Sequence, residues 1–331
     1  MKKPKILVIG SFMMDLIASA PRVPAMGETV IGTAFTTAPG GKGANQALQC
    51  ARLGADVTMA GCIGDDAFGY EMRDVLKQSG IDVSHVKVSK KSSSGVGNIQ
   101  LQVEGNTTQN RILVVPGANY ELTPADLFWL KTEIHKYDLV MLQLELSMEV
   151  TLFAARTAHQ AGVPLMLNPA PAAPLSDELL NCVTYLSPNE HEAVLLANVA
   201  LGENDIGTNH EHLLLVTQEL GRKGAKKLLI TLGGNGSVLV DRGKCIFADA
   251  AKVPIVRDPT AAGDSFVAAF CTGVCAGLTE SEAMVLASHV AGITVSRVGA
   301  MPSLPKLREV CAFLRDMGYA EIAKKMEVAM Q

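Results

Sequence analysis

"DLVMLQLE", residues 138–145, is an apolar run that ends in a carboxylate. A strand wet on one face alternates polar with apolar; a run this uniform is buried on both faces, as in a parallel sheet. It leads into a helical pattern over 149–161, then a second such run, "PLMLN" (164–168), and a proline loop at 169–174. "VTYLSPN" (183–189) precedes a helix at 190–197, and "KLLITLGG" (227–234) follows a helix near 211–223. This alternation predicts a three-layer α/β/α fold, a doubly wound, mostly parallel sheet with helices on both faces. Ligands of such sheets gather beyond the carboxyl ends of the strands. Asp15, the glycines at 40–43, Glu145, Asn168, Asn189, Gly233 and the turn at 258–264 fall at those ends.

The N-terminal half carries the same signals with two interruptions. "KILVIG" (5–10) and "DVTMAGCIG" (56–64) read as buried strands. "GGKGANQALQCARLG" (40–54) opens with glycines and continues as a helix with Ala47, Leu48 and Ala51 on one face, ended by Gly54. Phe68, Met72, Val75 and Leu76 then repeat at helical spacing up to Gly80. The first interruption is 16–39, where "ETVIGTAFTTA" (28–38) is β-prone. The second is 93–115: "NIQLQV" (98–103) alternates, with Ile99, Leu101 and Val103 on one side, and a turn, "EGNTTQN" (104–110), joins it to "RILVV" (111–115). That is a hairpin with one apolar face. The two segments predict a small β-sheet lid standing off the main sheet, inside one domain that spans 1–331. Its apolar face must rest on a ligand, on the main domain, or on the same sheet of a second subunit.

The totals exclude several classes. The 331 residues suit one large α/β domain, and 48% hydrophobic with 19% charged residues is an ordinary globular balance. A net charge of −4 gives no electrostatic reason to expect nucleic acid or an anionic membrane as partner. No apolar run approaches the ~18–20 residues that cross a bilayer. The start, "MKKPKILVIGSFMMDL", imitates a signal peptide, but its apolar part is short and runs into Asp15, so it reads as a first strand. Seven scattered cysteines read as buried, reduced thiols of a cytoplasmic protein. Cys271 and Cys275 share a helix face, with no second pair to complete a zinc site.

"VRDPTAAGDSFVAAF" (256–270) poses the chemical question. From Ala261 to Gly277 the chain reads as a helix that is small or apolar on nearly every side, so it belongs inside the protein, yet Asp264 sits in its opening turn. Ala261, Ala262 and Gly263 leave N–H groups facing outward at the positive end of the helix dipole, where a phosphate can rest. A carboxylate beside it can take a proton from an attacking alcohol. The plainer reading is that Asp264 complements the dipole, worth ~0.3–1 kcal/mol.

Other residues are equally two-sided. "PGGKGANQ" (39–46) can hold an anion or a hydroxyl-rich ligand, or simply make a tight turn. It is no Walker A loop, because Gly43 follows Lys42. Nor is it G-x-G-x-x-G, because Gln46 takes the third glycine's place, which speaks against a nicotinamide dehydrogenase. Asn189 and Glu192 are spaced as a helix cap and its box partner. Asp15 and Glu145 suit a turn and a strand end as well as a ligand. "NHEH" (209–212) reads as solvated surface.

Taken in this order, the residues resemble the ribokinase-like (PfkB) family of sugar kinases over almost the whole chain. "PGGKGANQA" (39–47) is similar to its N-terminal glycine signature and "DPTAAGDSF" (258–266) to its C-terminal one. "MLQLE", "LNPAPA", "SPNEHE" and "ITLGGNG" lie between them and look most like the family's ribose and deoxyribose kinases. The resemblance implies ATP-dependent transfer of a phosphoryl group to a primary sugar hydroxyl, most simply that of ribose, with Mg²⁺. It implies Asp264 as catalytic base and the N–H groups of Ala261, Ala262 and Gly263 as the anion hole. Met13, Asp15, Gly40, Gly41, Lys42, Asn45 and Glu145 match sugar-binding positions. Asn189 and Glu192 match the element associated with Mg²⁺ and phosphate, reached through water; Thr231, Gly233, Gly236 and Ser288 match nucleotide positions. Asp258, the Thr260 carbonyl and the neighbourhood of Thr294, Arg297, Gly299 and Ser303 match a monovalent-cation site, with K⁺ as activator. The lid implies a homodimer. Rival readings are a fructose or nucleoside kinase of the same fold and a catalytically silent sugar-binding protein.

The chain departs from the family pattern at four places. Pro259 replaces a usual Thr, Ala261 a common Gly, and Ser288 an Asn near adenine. Met13 stands where many ribose kinases place an Asn two residues before the sugar-binding Asp; deoxyribose kinases resemble this chain in having Met there, and some ribose kinases do too. A thioether donates no hydrogen bond, so the sequence predicts better tolerance of 2-deoxyribose.

Overall fold

In the computed structural model, which describes residues 3–104, 107–199 and 206–331, the chain builds two sheets. Strand β1 (Lys5–Ile9) starts the main sheet. The chain then leaves it through β2 (Met13–Ala20) and β3 (Ala34–Gly40), and returns by helix α1 (Lys42–Arg52) to β4 (Asp56–Gly64), α2 (Ala67–Gln78) and β5 (Asp82–Ser89). A second excursion forms β6 (Gly95–Glu104) and β7 (Thr107–Val115). Helical turns, including α3 (Leu130–Glu133), lead to β8 (Leu139–Gln143), α4 (Met148–Gln160), β9 (Leu165–Asn168), α5 (Asp177–Cys182) and β10 (Tyr185–Leu186). Then come α6 (Glu190–Ala197), α7 (His210–Arg222), β11 (Lys227–Thr231), β12 (Ser237–Asp241) and β13 (Lys244–Ala248). Four helices close the chain: α8 (Ala262–Cys275), α9 (Glu280–Val295), α10 (Leu307–Asp316) and α11 (Ala320–Ala329).

The main sheet runs β13-β12-β11-β10-β9-β8-β1-β4-β5, parallel from β11 to β5 and antiparallel at the β12–β13 edge. Strand β1 shows why its apolar run is continuous. Ile6 and Val8 enter the core on one face, with α1, α2 and α8–α11; Leu7 and Ile9 enter the core on the other, with α4–α7. Connections from β1 proceed toward β4 and β5, whereas those from β8 proceed toward β9 and β10. The carboxyl ends of β1 and β8 therefore flank a switch point, where α/β sheets open a crevice. Helix α8 packs against α1 and α9 and is buried from Asp264 to Gly273, which explains its small and apolar composition.

The second sheet runs β3-β2-β6-β7. It gathers the two β-prone interruptions, with differences. In "ETVIGTAFTTA" the strand starts only at Ala34; residues 28–33 lie outside any strand, and Ile31 is exposed. Ile99 and Leu101 are half-buried, but Val103 is exposed, as are Phe35, Ile112, Leu113, Val114 and Val115. Residues 105–106 of the hairpin turn lie outside the described residues. Strand β10 keeps two residues of the seven-residue "VTYLSPN", since Pro188 has no N–H to extend the ladder. Helix α8 starts at Ala262 and stops at Cys275, short of Gly277. The cysteines are all free, but Cys245 is exposed and Cys275 half-buried, a correction to the expectation that all are buried. No helix among the described residues is long and apolar enough to cross a membrane.

Candidate active site

The first turn of α8 opens onto the crevice. Ala261, its N-cap, holds a left-handed backbone (φ 61°, ψ 9°) and offers no side-chain cap. The expectation of three outward N–H groups needs correction. The Ala262 N–H donates to the Pro259 carbonyl at 3.1 Å, while those of Ala261, Gly263 and Asp264 find no backbone acceptor among the described residues. Gly263 is exposed, and a Cβ built on it meets nothing within 4 Å. The helix tip is thus not plugged by protein, and its free donors sit at the positive end of the dipole.

Asp264 lies one residue further in, 7% exposed. Burying a carboxylate requires partners, and α1 supplies them. Asn45 Nδ2 donates to Oδ2 at 2.9 Å and Gln46 Nε2 to Oδ1 at 3.1 Å. Helix α1 comes this close because glycines seat it on the end of β1. Gly41 turns the chain at φ 97°, and a Cβ on Gly43 would meet Ser11 N at 2.5 Å. The Ala44 N–H then donates to the Ser11 carbonyl at 3.0 Å.

The carboxylate that ends "DLVMLQLE" faces the same helix start. Glu145 accepts from the Lys42 backbone N–H at 3.0 Å and from the Ser11 hydroxyl. Lys42 loses hydration by burial, but the carboxylates of Asp264, Glu145 and Glu192 outweigh that loss and raise its pKa above the ordinary value. One ammonium thus lies in the field of three acids from separate parts of the chain.

Asp15 and Met13 share a face of β2. Burial, and then the charge of Glu145, push the Asp15 carboxyl up to about 6. One of its oxygens lies 2.6 Å from where a Cβ on Gly97 would sit, so the glycine on neighbouring β6 makes room for it. Met13 is buried, its sulfur 3.8 Å from Asn119 Nδ2. Asn119 accepts from the Phe12 N–H at 2.9 Å and donates to the Phe12 carbonyl at 2.8 Å, fixing β2 where it leaves the main sheet.

Of the residues expected at the nucleotide, Asn189, Thr231, Gly233 and Gly236 lie at or beyond the ends of β10 and β11. Asn189 caps α6, and a full capping box joins it to Glu192, at 2.8 and 2.9 Å. The plainer reading of this pair is therefore realised. Glu192 is nevertheless half-buried, its pKa raised by desolvation against the pull of the Asn189 N–H and Lys42, with Asp264 adding to the rise. Only its Oε2 accepts within the box, leaving Oε1 for another partner. Thr231 bridges to Asn189 across the sheet end. Gly233 (φ 54°) opens to space, whereas Gly236 (φ 91°) is set by packing, since a Cβ there would stand 2.1 Å from the Ala248 carbonyl. Ser288, on α9, is buried, and its hydroxyl has no partner.

The residues expected around a monovalent cation also come together. Asp258 accepts from the Thr260 N–H at 2.9 Å and the Gly299 N–H at 2.8 Å, and these bonds hold its pKa low against desolvation. Thr294 donates to the Val290 carbonyl at 2.9 Å and Ser303 to the Ala300 carbonyl at 2.7 Å, while Arg297 pairs with Glu309. Oδ1 thus closes the 258–260 loop on itself, while Oδ2 ties it to the 297–303 segment. "NHEH" behaves as surface: Asn209 caps α7, and no cluster of His, Cys, Asp or Glu fit for a metal occurs among the described residues.

Sequence reasoning missed Ser11, Asn119 and Gln143, and gave Gln46 no role. One signal was present: Gln143 is the lone polar residue in a strand buried at every position.

The chain matches the family model described as "pfkB family carbohydrate kinase" over residues 3–307. It is 40% identical over 313 residues to the ribokinase of Schizosaccharomyces pombe, covering 92% of this chain and 96% of that one. To the ribokinase of Bacillus subtilis it is 38% identical over 305 residues, covering 92% and 97%. Among solved structures it is similar to Arabidopsis thaliana ribokinase complexed with ribose and ATP, with a TM-score of 0.85, 29% identity, and coverage of 95% of this chain and 99% of that one.

Proposed function

Because the chain belongs to the pfkB family of carbohydrate kinases, we propose that it transfers the terminal phosphoryl group of ATP to the 5-hydroxyl of a pentose, ribose before 2-deoxyribose. The observation that carries this reading is the unplugged tip of α8 with the Asp264 carboxylate beside it. The sugar oxygen bonds to phosphorus, the bond to the departing ADP oxygen breaks, and the hydroxyl proton passes to Asp264. The N–H donors of Ala261 and Gly263 stabilise charge on the migrating group; donors of this kind contribute ~10²–10³ in rate. Ala262 contributes through the turn its N–H closes. Asp15, Asn45, Glu145 and Lys42, with the Gly40–Gly41 backbone and Met13, line the sugar side; Thr231, Gly233, Gly236 and Ser288 line the nucleotide side.

Mg²⁺ suits Glu192, whose Oε1 is free, through water, as this ion commonly keeps several waters beside one carboxylate and substrate phosphates. When bound it neutralises phosphate charge. The juxtaposition of Asp258 and Thr260 with Thr294, Arg297, Gly299 and Ser303 supports activation by K⁺. The small sheet acts as a lid over the sugar, and its exposed Phe35, Ile112 and Leu113 favour pairing with a second copy, which sedimentation tests. Free thiols favour the cytoplasm.

Coupled ADP release across ribose, 2-deoxyribose, fructose and adenosine, with and without K⁺, tests the reading. Turnover with ribose or deoxyribose above the others is expected. Preference for fructose or adenosine transfers the site to another substrate of the family, and absence of turnover with every sugar supports the silent binding protein.

A further inference from the structure

Behind Asp264 lies a row of buried amides, each bonded to the next and ending at Gln143, whose Oε1 is buried without a partner among the described residues. Gln143, the last residue of β8, is 1% exposed; Gln46 is fully buried. Gln143 Nε2 donates to Gln46 Oε1 at 2.6 Å. That bond turns the Gln46 amide so that its two hydrogens face Asp264 Oδ1 and Asn168 Oδ1, each at 3.1 Å. Asn168 cannot reverse, because its own Nδ2 donates to the Ser187 carbonyl at 2.9 Å. Room for Gln143 is itself provided: a Cβ on Gly10 would lie 2.2 Å from Gln143 Oε1.

Amides at two buried positions of a helix–sheet contact are a poor choice for packing alone, since each must find partners that an apolar side chain would not need. Their use lies in direction. Asp264 receives one bond from Gln46 and one from Asn45. The Gln46 amide is committed at its oxygen and at both hydrogens. Asn45 differs: its Oδ1 is buried without a partner, so its amide is free to exchange Asp264 for another group. We propose that Gln46, set by Gln143, is the positioning residue that fixes Asp264 Oδ1, so that Oδ2 is the oxygen presented to the sugar hydroxyl once Asn45 lets go. This rests on Asp264 being the base.

The test is a double-mutant cycle in the full chain, with ATP and ribose, read as kcat and KM beside Asp264→Asn and thermal melting. Gln46→Met keeps the length of the side chain and removes its donors. It is expected to lower kcat on the order of 10- to 100-fold, the scale of a misplaced reacting group, with both KM values within about twofold of wild type. Gln143→Met, which does not touch Asp264, is expected to lower kcat in the same sense by a smaller factor. The double variant should be no slower than Gln46→Met alone, because Gln143 acts through Gln46; two independent packing lesions would multiply instead. Unchanged kcat in either single variant, multiplicative losses, or a rise in KM that matches the fall in kcat overturns the proposal. If Gln46→Met does not fold, Gln143→Met alone decides by the same split. Should Asp264→Asn keep wild-type turnover, the base itself is misassigned, a failure that leaves a different trace from an inert Gln46.

Discussion

Asn45 Nδ2 lies 2.9 Å from Asp264 Oδ2, so a residue of α1 holds the oxygen that the proposed base would offer the sugar hydroxyl. Two residues 219 apart in sequence thus share one hydrogen bond across the crevice. Asp264→Asn keeps the shape and one accepting oxygen, turns the other into an amide donor, and removes the proton acceptor. General-base catalysis is worth ~10²–10⁴ in rate, and a loss of that size in kcat is expected, with ATP affinity by equilibrium titration retained. Near-normal kcat would show that the proton leaves by another route.

If Asp15 binds the sugar as proposed, it makes that side of the site sensitive to acid. Its carboxyl titrates at about 6 because burial and Glu145 disfavour the charge. A protonated carboxyl loses accepting capacity, so KM for the sugar should rise as pH falls through 6, while Asp15→Asn, already weak, should show no such inflection. The stability effect has the opposite sign. The folded state binds this proton more tightly than the unfolded chain, so the contribution to stability is fully present below the unfolded value near 3.8 and is lost as pH rises through about 6. Melting curves at neutral pH should therefore find Asp15→Asn more stable than wild type, and a variant less stable at neutral pH would contradict the burial argument.

How much of this was legible beforehand differs between fold and site. The uniform runs at β1, β4, β8 and β11 forecast a parallel sheet because burial on two faces leaves no place for alternation. Helix α8 was legible for the same reason, being apolar all round. Position alone marked the strand ends and glycine turns as places for a ligand, while the roles of the residues there were legible only through the resemblance to the family. Gln46 and Gln143 were not, since a relay between residues 97 apart leaves no periodic trace, and each amide looks accidental until Gln143 is seen to meet Gln46, and Gln46 Asp264. Asn189 and Glu192 show the reverse limit: a capping box and a phosphate-side carboxylate have the same spacing, and the structure holds the box while leaving one oxygen over.

Ala261 carries backbone strain at the helix tip. At φ 61° it adopts a conformation that costs an L-residue ~1–2 kcal/mol and glycine almost nothing. Glycine is more flexible when unfolded, which offsets ~0.4–1 kcal/mol. Ala261→Gly should therefore stabilise the protein slightly, by about 1 kcal/mol or less, a rise of ~1 °C in Tm for a chain of this size. The β-branched Ala261→Val should lower Tm and kcat together, since it distorts the turn that presents the tip N–H groups. Calorimetry on the three proteins checks the order Gly, Ala, Val; equal melting temperatures for Ala and Val would remove the strain.

Met13 bears on which pentose is preferred. Its sulfur faces Asn119 Nδ2 at 3.8 Å, on the same strand face as Asp15, and a Cβ on Gly95 would meet it at 2.7 Å. The thioether gives a sugar hydroxyl at this place no donor and only a weak acceptor. A hydroxyl left unpaired in such a setting costs ~1–3 kcal/mol, a penalty that 2-deoxyribose, lacking the hydroxyl, escapes. Met13→Asn would offer that hydroxyl an amide that can both donate and accept. The ratio of kcat/KM for ribose over 2-deoxyribose should then rise by about tenfold or more, the lower part of that energy range, with ATP parameters unchanged. An unaltered ratio would mean that Met13 does not meet the 2-hydroxyl and that discrimination lies elsewhere along the sugar side.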